Sequence, residues 1–230
     1  MNAVLRFDDA REVADLGAFL GRLIHYDRAA AVRLQAGGGA LAVFGRPPSF
    51  EVLAIRTARL GDDALTLDVT VSAGELLESL DESACTAGVP SAVTGPPWAG
   101  LLPPRGGWRQ VPGLPDPERM RGAVAAAVAE FRARDAALPE ERRTSAEREL
   151  IGREIWSRKL GSTDLPLRAV HAAQSLGFLR PVRALASAGA PSAPEPAALF
   201  ASGPWLRLRT PYGSIALRRA GLAGLSVTPT

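Results

Sequence analysis

Residues 144–179 read TSAERELIGREIWSRKLGSTDLPLRAVHAAQSLGFL, the stretch with the clearest local grammar in the chain. Thr144 is a good N-cap, and Glu147 three residues on completes a capping box in which each side chain satisfies an otherwise unpaired backbone donor. Leu150, Ile151 and Ile155 recur at helical spacing beside Trp156, and Gly161 offers the left-handed residue on which helices end, so the spacing predicts a helix that stops at Leu160. Ser162, Thr163 and Asp164 form a polar turn, and Pro166 suits the first turn of a second helix, where its missing N–H costs nothing. In that helix Leu165, Ala169, Ala172, Leu176 and Leu179 make an apolar seam, while Arg168, His171 and Gln174 fall on the opposite side.

Two helices joined by a tight glycine-containing turn describe a helix-turn-helix, whose second helix would present Arg168, His171 and Gln174 to the major groove of double-stranded DNA. They equally describe an ordinary helical hairpin, the commoner object. A strand pair near the C-terminus bears on the choice. WLRLRTPYGSIALRR, residues 205–219, sets Trp205, Leu206 and Leu208 against Arg207 and Arg209, turns at Pro211-Tyr212-Gly213, and returns through Ile215 and Leu217 opposite Arg218. A hairpin with an arginine-rich face is the wing that a winged helix needs, and the reading then requires Arg168, Arg207, Arg209 and Arg218 on one surface. The stretch between helix and hairpin is longer than a compact winged helix requires, which leaves open a second placement, in the N-terminal sheet. That stretch, residues 181–203, is rich in Ala, Pro and Ser and reads as a flexible linker.

Toward the N-terminus, Val4 to Phe7 alternates as a short strand, and Asp8 or Asp9 can cap a helix through Val13, Leu16, Leu20, Leu23 and Ile24. Residues 31–44 form a hairpin about Gly37-Gly38-Gly39, and residues 50–60 and 65–71 continue as two more strands. Ser72 then caps a short helix. The expected unit, residues 1–82, is an antiparallel meander crossed by one helix. Residues 83–115 come next as a Pro/Gly/Trp-rich connection, which Trp98 and Trp108 are expected to pin against the sheet or to offer to a protein partner. Asp116 caps a long helix with Met120, Val124, Val128 and Phe131 as its buried stripe, so residues 116–180 form a helical region before the linker and the hairpin with its tail, residues 204–230.

The fold class is therefore α+β: an N-terminal antiparallel sheet with a helix, then a helical region ending in a β-hairpin that is winged-helix-like. The balance of 47% hydrophobic and 22% charged residues is globular, and no apolar run is long enough to span a bilayer. The opening MNAVLRFDD lacks a basic start and an apolar core, which suggests a cytoplasmic protein with no membrane partner. The sequence pI is 9.7, but the formal charge is only +3 and Lys159 is the one lysine. Such arginine usage reflects GC-rich coding as readily as a nucleic-acid partner.

No cofactor is expected. A zinc site needs closely placed ligands, and His25, His171 and the lone Cys85 are far apart in sequence. The glycine triplet at 37–39 lacks the Gly-Lys-Ser/Thr and helix of a P-loop, and no nucleophile elbow or H-E-x-x-H occurs. The reading leans away from an enzyme.

The order strand, helix, meander, short helix resembles one half-domain of a sliding clamp in topology alone. GPPWAGLLPPRGGW, EIWSRKLG with LPLRAVHAAQSLGFL, and WLRLRTPYGSIALRR together resemble an uncharacterised protein family of actinobacteria. That resemblance implies a cytoplasmic protein of high-GC bacteria and brings no activity or site residue with it.

Overall fold

The computed structural model describes residues 3–181 and 195–219. Asp9 starts the first helix as an N-cap, its carboxylate accepting the N–H groups of Arg11 at 2.8 Å and Glu12 at 3.0 Å. Helix α1, Ala10–Tyr26, then buries Val13, Leu16, Phe19, Leu20 and Leu23 against one face of a sheet. That sheet begins with β2 (Ala31–Gly37) and β3 (Ala40–Gly45), after a short β1 (Val4–Arg6). Gly38 at φ 58° and Gly39 at φ 70° make the tight turn between them, since both positions need the left-handed backbone that glycine tolerates.

β4 (Leu53–Arg59) pairs with β3 as the sequence suggests, but β5 (Leu67–Ser72) does not continue the meander. It crosses back to pair with β2, Val71 opposite Val32 and Val69 opposite Leu34, a Greek-key order that leaves the far edge of β4 open. β1 also stands outside this sheet. After the Ser72-capped α2 (Ala73–Glu78), the strands β6 (Leu80–Asp81) and β7 (Thr86–Gly88) join β1 in a small sheet of their own.

The open edge of β4 decides where the C-terminal hairpin goes. β8 (Arg109–Val111), β9 (Ala198–Ser202), β10 (Trp205–Thr210) and β11 (Gly213–Arg218) extend one eight-stranded sheet in the order β5-β2-β3-β4-β11-β10-β9-β8. β11 meets β4 with Ile215 opposite Ala54, so the hairpin takes the second placement the sequence left open and no free wing stands beside the helices. The physical reason is burial on both faces of β11: Ile215 and Leu217 enter the main core, and Ala216 a second one behind it. Such a strand is stable inside a sheet and poorly suited to a solvated wing. The expected flexible linker is likewise corrected over Ala198–Ser202, where a run too short to signal a strand by itself pairs with β10; residues 182–194 lie outside the described residues.

Three further helices lie at the hairpin end. Asp116 caps α3, Pro117–Ala136, accepting from Arg119 N–H at 2.9 Å. Thr144 caps α4, Ser145–Ser157, but Glu147 pairs with Arg142 instead of closing the capping box. At its other end α4 stops at Ser157, short of the expected Leu160, where Arg158 turns extended at ψ 141°, and Gly161 at φ 55° serves the turn to α5, Leu167–Ser175. Arg134 at 2.7 Å and Arg158 at 3.0 Å tie Glu154 of α4 toward α3, and their hydrogen bonds hold its carboxyl down at about 2. α5 lies on β11, burying the expected seam of Leu165, Ala169, Ala172, Leu176 and Leu179.

Beneath α1 sits one buried cation. The Arg56 guanidinium of β4 lies 3.2 Å from both Glu12 and Asp15 and donates to the Tyr212 carbonyl at 3.0 Å. Arg180 completes the group, pairing with Asp15 and covering the Tyr212 ring at 3.7 Å. These contacts fasten the N-terminal helix to the turn of the C-terminal hairpin, and removing one member of such a buried pairing costs about 3–5 kcal/mol.

Candidate functional site

The face of the sheet away from α1 carries the chemistry. Strand side chains alternate, so Trp205, Arg207 and Arg209 of β10 share that outer face while Leu206 and Leu208 point into the main core. Trp205 thus belongs with the arginines, contrary to its expected grouping with the leucines. Residues 89–108 run across the face as a strap. It leaves one edge where Val93 N–H donates to the Thr70 carbonyl at 2.9 Å, and it reaches the other edge as β8, paired with β9. Trp98 pins its middle on Phe44, Leu53, Ile55 and Ala216, and Arg33, held at 2.7 Å by Asp68, donates to the Ala99 carbonyl. Trp108 is half-buried farther along, its indole N–H on the Pro104 carbonyl at 2.9 Å. Of the two tryptophans expected to pin the connection against the sheet, Trp98 packs on it, while the Trp108 indole bonds within the strap itself.

The strap leaves a cleft on either side. The first, about 290 Å³, is lined by Arg46, Glu51, Trp98, Arg168, Trp205 and Arg218. Arg46 follows β3, Arg168 is the second residue of α5, and Arg218 ends β11 opposite Trp205. Arg168 lies 3.6 Å from Glu51, while Arg46 and Arg218 are exposed and without an ion pair among the described residues. Three arginines, one carboxylate and two indoles line this cleft.

The second cleft, about 490 Å³, is floored by Gln35, Ala42, Phe44 and Ile55 and roofed by the strap from Leu102 to Arg105, with Arg207 at its end. Burial pushes the Arg207 guanidinium below its ordinary value, and the charge of Arg209 pushes it further in the same direction.

Of the six residues expected to meet DNA, the structure therefore joins Arg168 to Arg218 and separates the rest. Arg207 lines the other cleft, and Arg209 pairs with Glu195 at 2.8 Å over the Phe200 ring. His171 does not project. It stacks on Trp156 at 4.3 Å and meets the edge of Phe50 at 5.1 Å, and burial lowers its pKa. Gln174 is exposed on α5, away from both clefts. Sequence reasoning missed Arg46 and Glu51, which sit in a loop with no periodicity to mark them. Trp205 could have been found by strict alternation from Arg207.

Among the described residues no group of three or more His, Cys, Asp or Glu side chains could hold a metal ion, and no helix is long and apolar enough to cross a membrane. Fold and clefts together define an α+β protein organised on one antiparallel sheet, with arginine and tryptophan concentrated on the strapped face. Residues 1–100 match the family model described as a domain of unknown function (DUF8010), and residues 103–222 match a second, also a domain of unknown function (DUF8185). The second covers more than half of the 230 residues, and the chain belongs to that family. No curated protein and no solved structure matches it.

Proposed function

We propose that this is a non-enzymatic binding protein for single-stranded nucleic acid, and that the cleft of Arg46, Arg168 and Arg218 between Trp98 and Trp205 receives a phosphate and its stacked base. That juxtaposition carries the reading: arginine pairs with phosphate, an indole face accepts any base, and sheet faces so furnished bind single strands. A duplex is disfavoured because His171 stacks on Trp156 and α5 packs against β11, so α5 does not stand out as a reading helix. A cytoplasmic location, as the sequence suggests, gives access to such a partner.

Arg46 and Arg218 are exposed, so an Arg46→Gln, Arg218→Gln variant leaves the core intact. Fluorescence anisotropy with a labelled oligothymidine of roughly 15 nucleotides should show salt-dependent binding, stronger than to duplex. The three arginines share one phosphate, and each lost phosphate contact on a single strand flattens the logarithmic salt slope by about 0.7, so the double variant should lose up to about 0.7 unit. An unchanged slope, or no binding by the parent protein, removes the reading. One observation favours a protein partner: Leu101 of the strap is 59% exposed, an apolar side chain offered to solvent beside Trp98. Binding of that kind would survive high salt.

A further inference from the structure

The second cleft is independent of the first and has an unsolved charge. Arg56, Arg168 and Arg209 each bury an Nε without a hydrogen-bond partner, but each has an acid beside its guanidinium. Arg207 buries its Nε in the same way and has no acid among the described residues. Residues 1–2, 182–194 and 220–230, which lie outside the described residues, contain no Asp or Glu side chain. The Arg207 guanidinium lies 6.0 Å from the centre of the Trp108 ring, and the charged neighbour Arg209 repels it. A half-buried cation without a counter-charge is unfavourable unless something else supplies one.

The cleft beside it is suited to do so. At about 490 Å³ it has the size of a small-molecule site, with an apolar floor of Ala42, Phe44 and Ile55, the Gln35 amide as a polar group, and Arg207 at the end. We propose that this cleft binds a small organic carboxylate with an aromatic or branched aliphatic body, the carboxylate taken by the Arg207 guanidinium and the body lying on Phe44 and Ile55 beneath the strap. The guanidinium fork matches a carboxylate in a bidentate manner, which a neutral amide of the same shape does not reproduce. The site shares the strap with the nucleic-acid cleft but none of the residues varied there, so either reading can fail alone.

The test uses the full chain and three probes: phenylacetate, 4-methylvalerate and phenylacetamide. In proton–nitrogen correlation spectra one or both carboxylates should shift resonances of β2, β3, β4 and the strap saturably, and the amide should not. Arg207→Gln should weaken carboxylate binding roughly 10- to 100-fold, the worth of a hydrogen bond to a charged group. Because it removes an uncompensated charge, this variant should melt at or above the parent temperature, whereas a purely structural Arg207 would lower it. A second variant, Ala42→Leu, keeps the cation and fills the floor, and should also lose the carboxylate. Three results overturn the proposal: no response to either acid, equal binding of the amide, or Arg207→Gln that binds as the parent does or melts below it.

Discussion

Replacing Ile215 by alanine tests whether the C-terminal hairpin is part of the N-terminal sheet in energetic as well as geometric terms. Ile215 is fully buried on β11, opposite Ala54 of β4. The substitution removes three buried carbons, each worth about 0.8 kcal/mol in transfer from water. Main-chain pairing on both sides of β11 prevents the site from collapsing, so a cavity penalty adds to this and the cost should reach about 3–4 kcal/mol. In a chain of this length each kcal/mol lowers the melting temperature by about 2–4 °C, which gives a fall of roughly 6–16 °C. Thermal unfolding should be followed by far-ultraviolet circular dichroism and by tryptophan fluorescence, and the two curves should fall together. A loss below about 1 kcal/mol, or two separated transitions with the N-terminal strands surviving the first, would refute a cooperative sheet across the β4–β11 seam.

Two more predictions concern residues whose environment the sequence hid. Gly213 stands so close to the Phe178 ring that an added Cβ would lie 2.6 Å from it, at φ 155°; Gly213→Ala should therefore destabilise by about 1–3 kcal/mol, and Phe178→Leu in the same chain should recover part of the loss, measured by urea unfolding. His171 has a folded pKa lowered by burial from the ordinary 6.5, so the unfolded chain binds the proton first. Its contribution is intact above that value and is lost as pH falls from about 6.5 toward the lowered pKa. In His171→Phe this part of the pH dependence of unfolding should disappear, and persistence of the same slope would show that another group is responsible.

The features legible in the sequence were local. The caps at Asp9, Ser72, Asp116 and Thr144 each depend on a side chain and an N–H two or three residues away, and all four form. Sheet order was hidden because β5 chooses β2 over β4 through pairing that no local pattern encodes. The helical wheel placed His171 correctly opposite the seam, yet Trp156 and Phe50 come from other elements to cover that side. A third of the six residues named for the first cleft, Arg168 and Arg218, was visible because periodicity marks strand and helix faces. Arg46 and Glu51 come from a loop, where only the assembled fold determines what a side chain meets.

The two family segments meet between residues 100 and 103, inside the strap, while the sheet runs unbroken through both. The first segment by itself would leave the β4 edge unpaired and take Ala216 and Trp205 away from Phe44, Leu53 and Ile55 on the outer face; the second would leave β11 without its β4 partner. Arg56 would lose the Tyr212 carbonyl, and Phe19 the Phe178 ring stacked 5.7 Å away. Each segment thus covers what the other would expose at real cost in unpaired backbone and apolar surface. The clefts share this dependence. The first takes Arg46, Glu51 and Trp98 from one segment and Arg168, Trp205 and Arg218 from the other, and the second takes its floor from one and its roof and cation from the other. Neither cleft exists before the β4–β11 seam closes, so folding of the joined sheet and assembly of its arginine-lined face are one event.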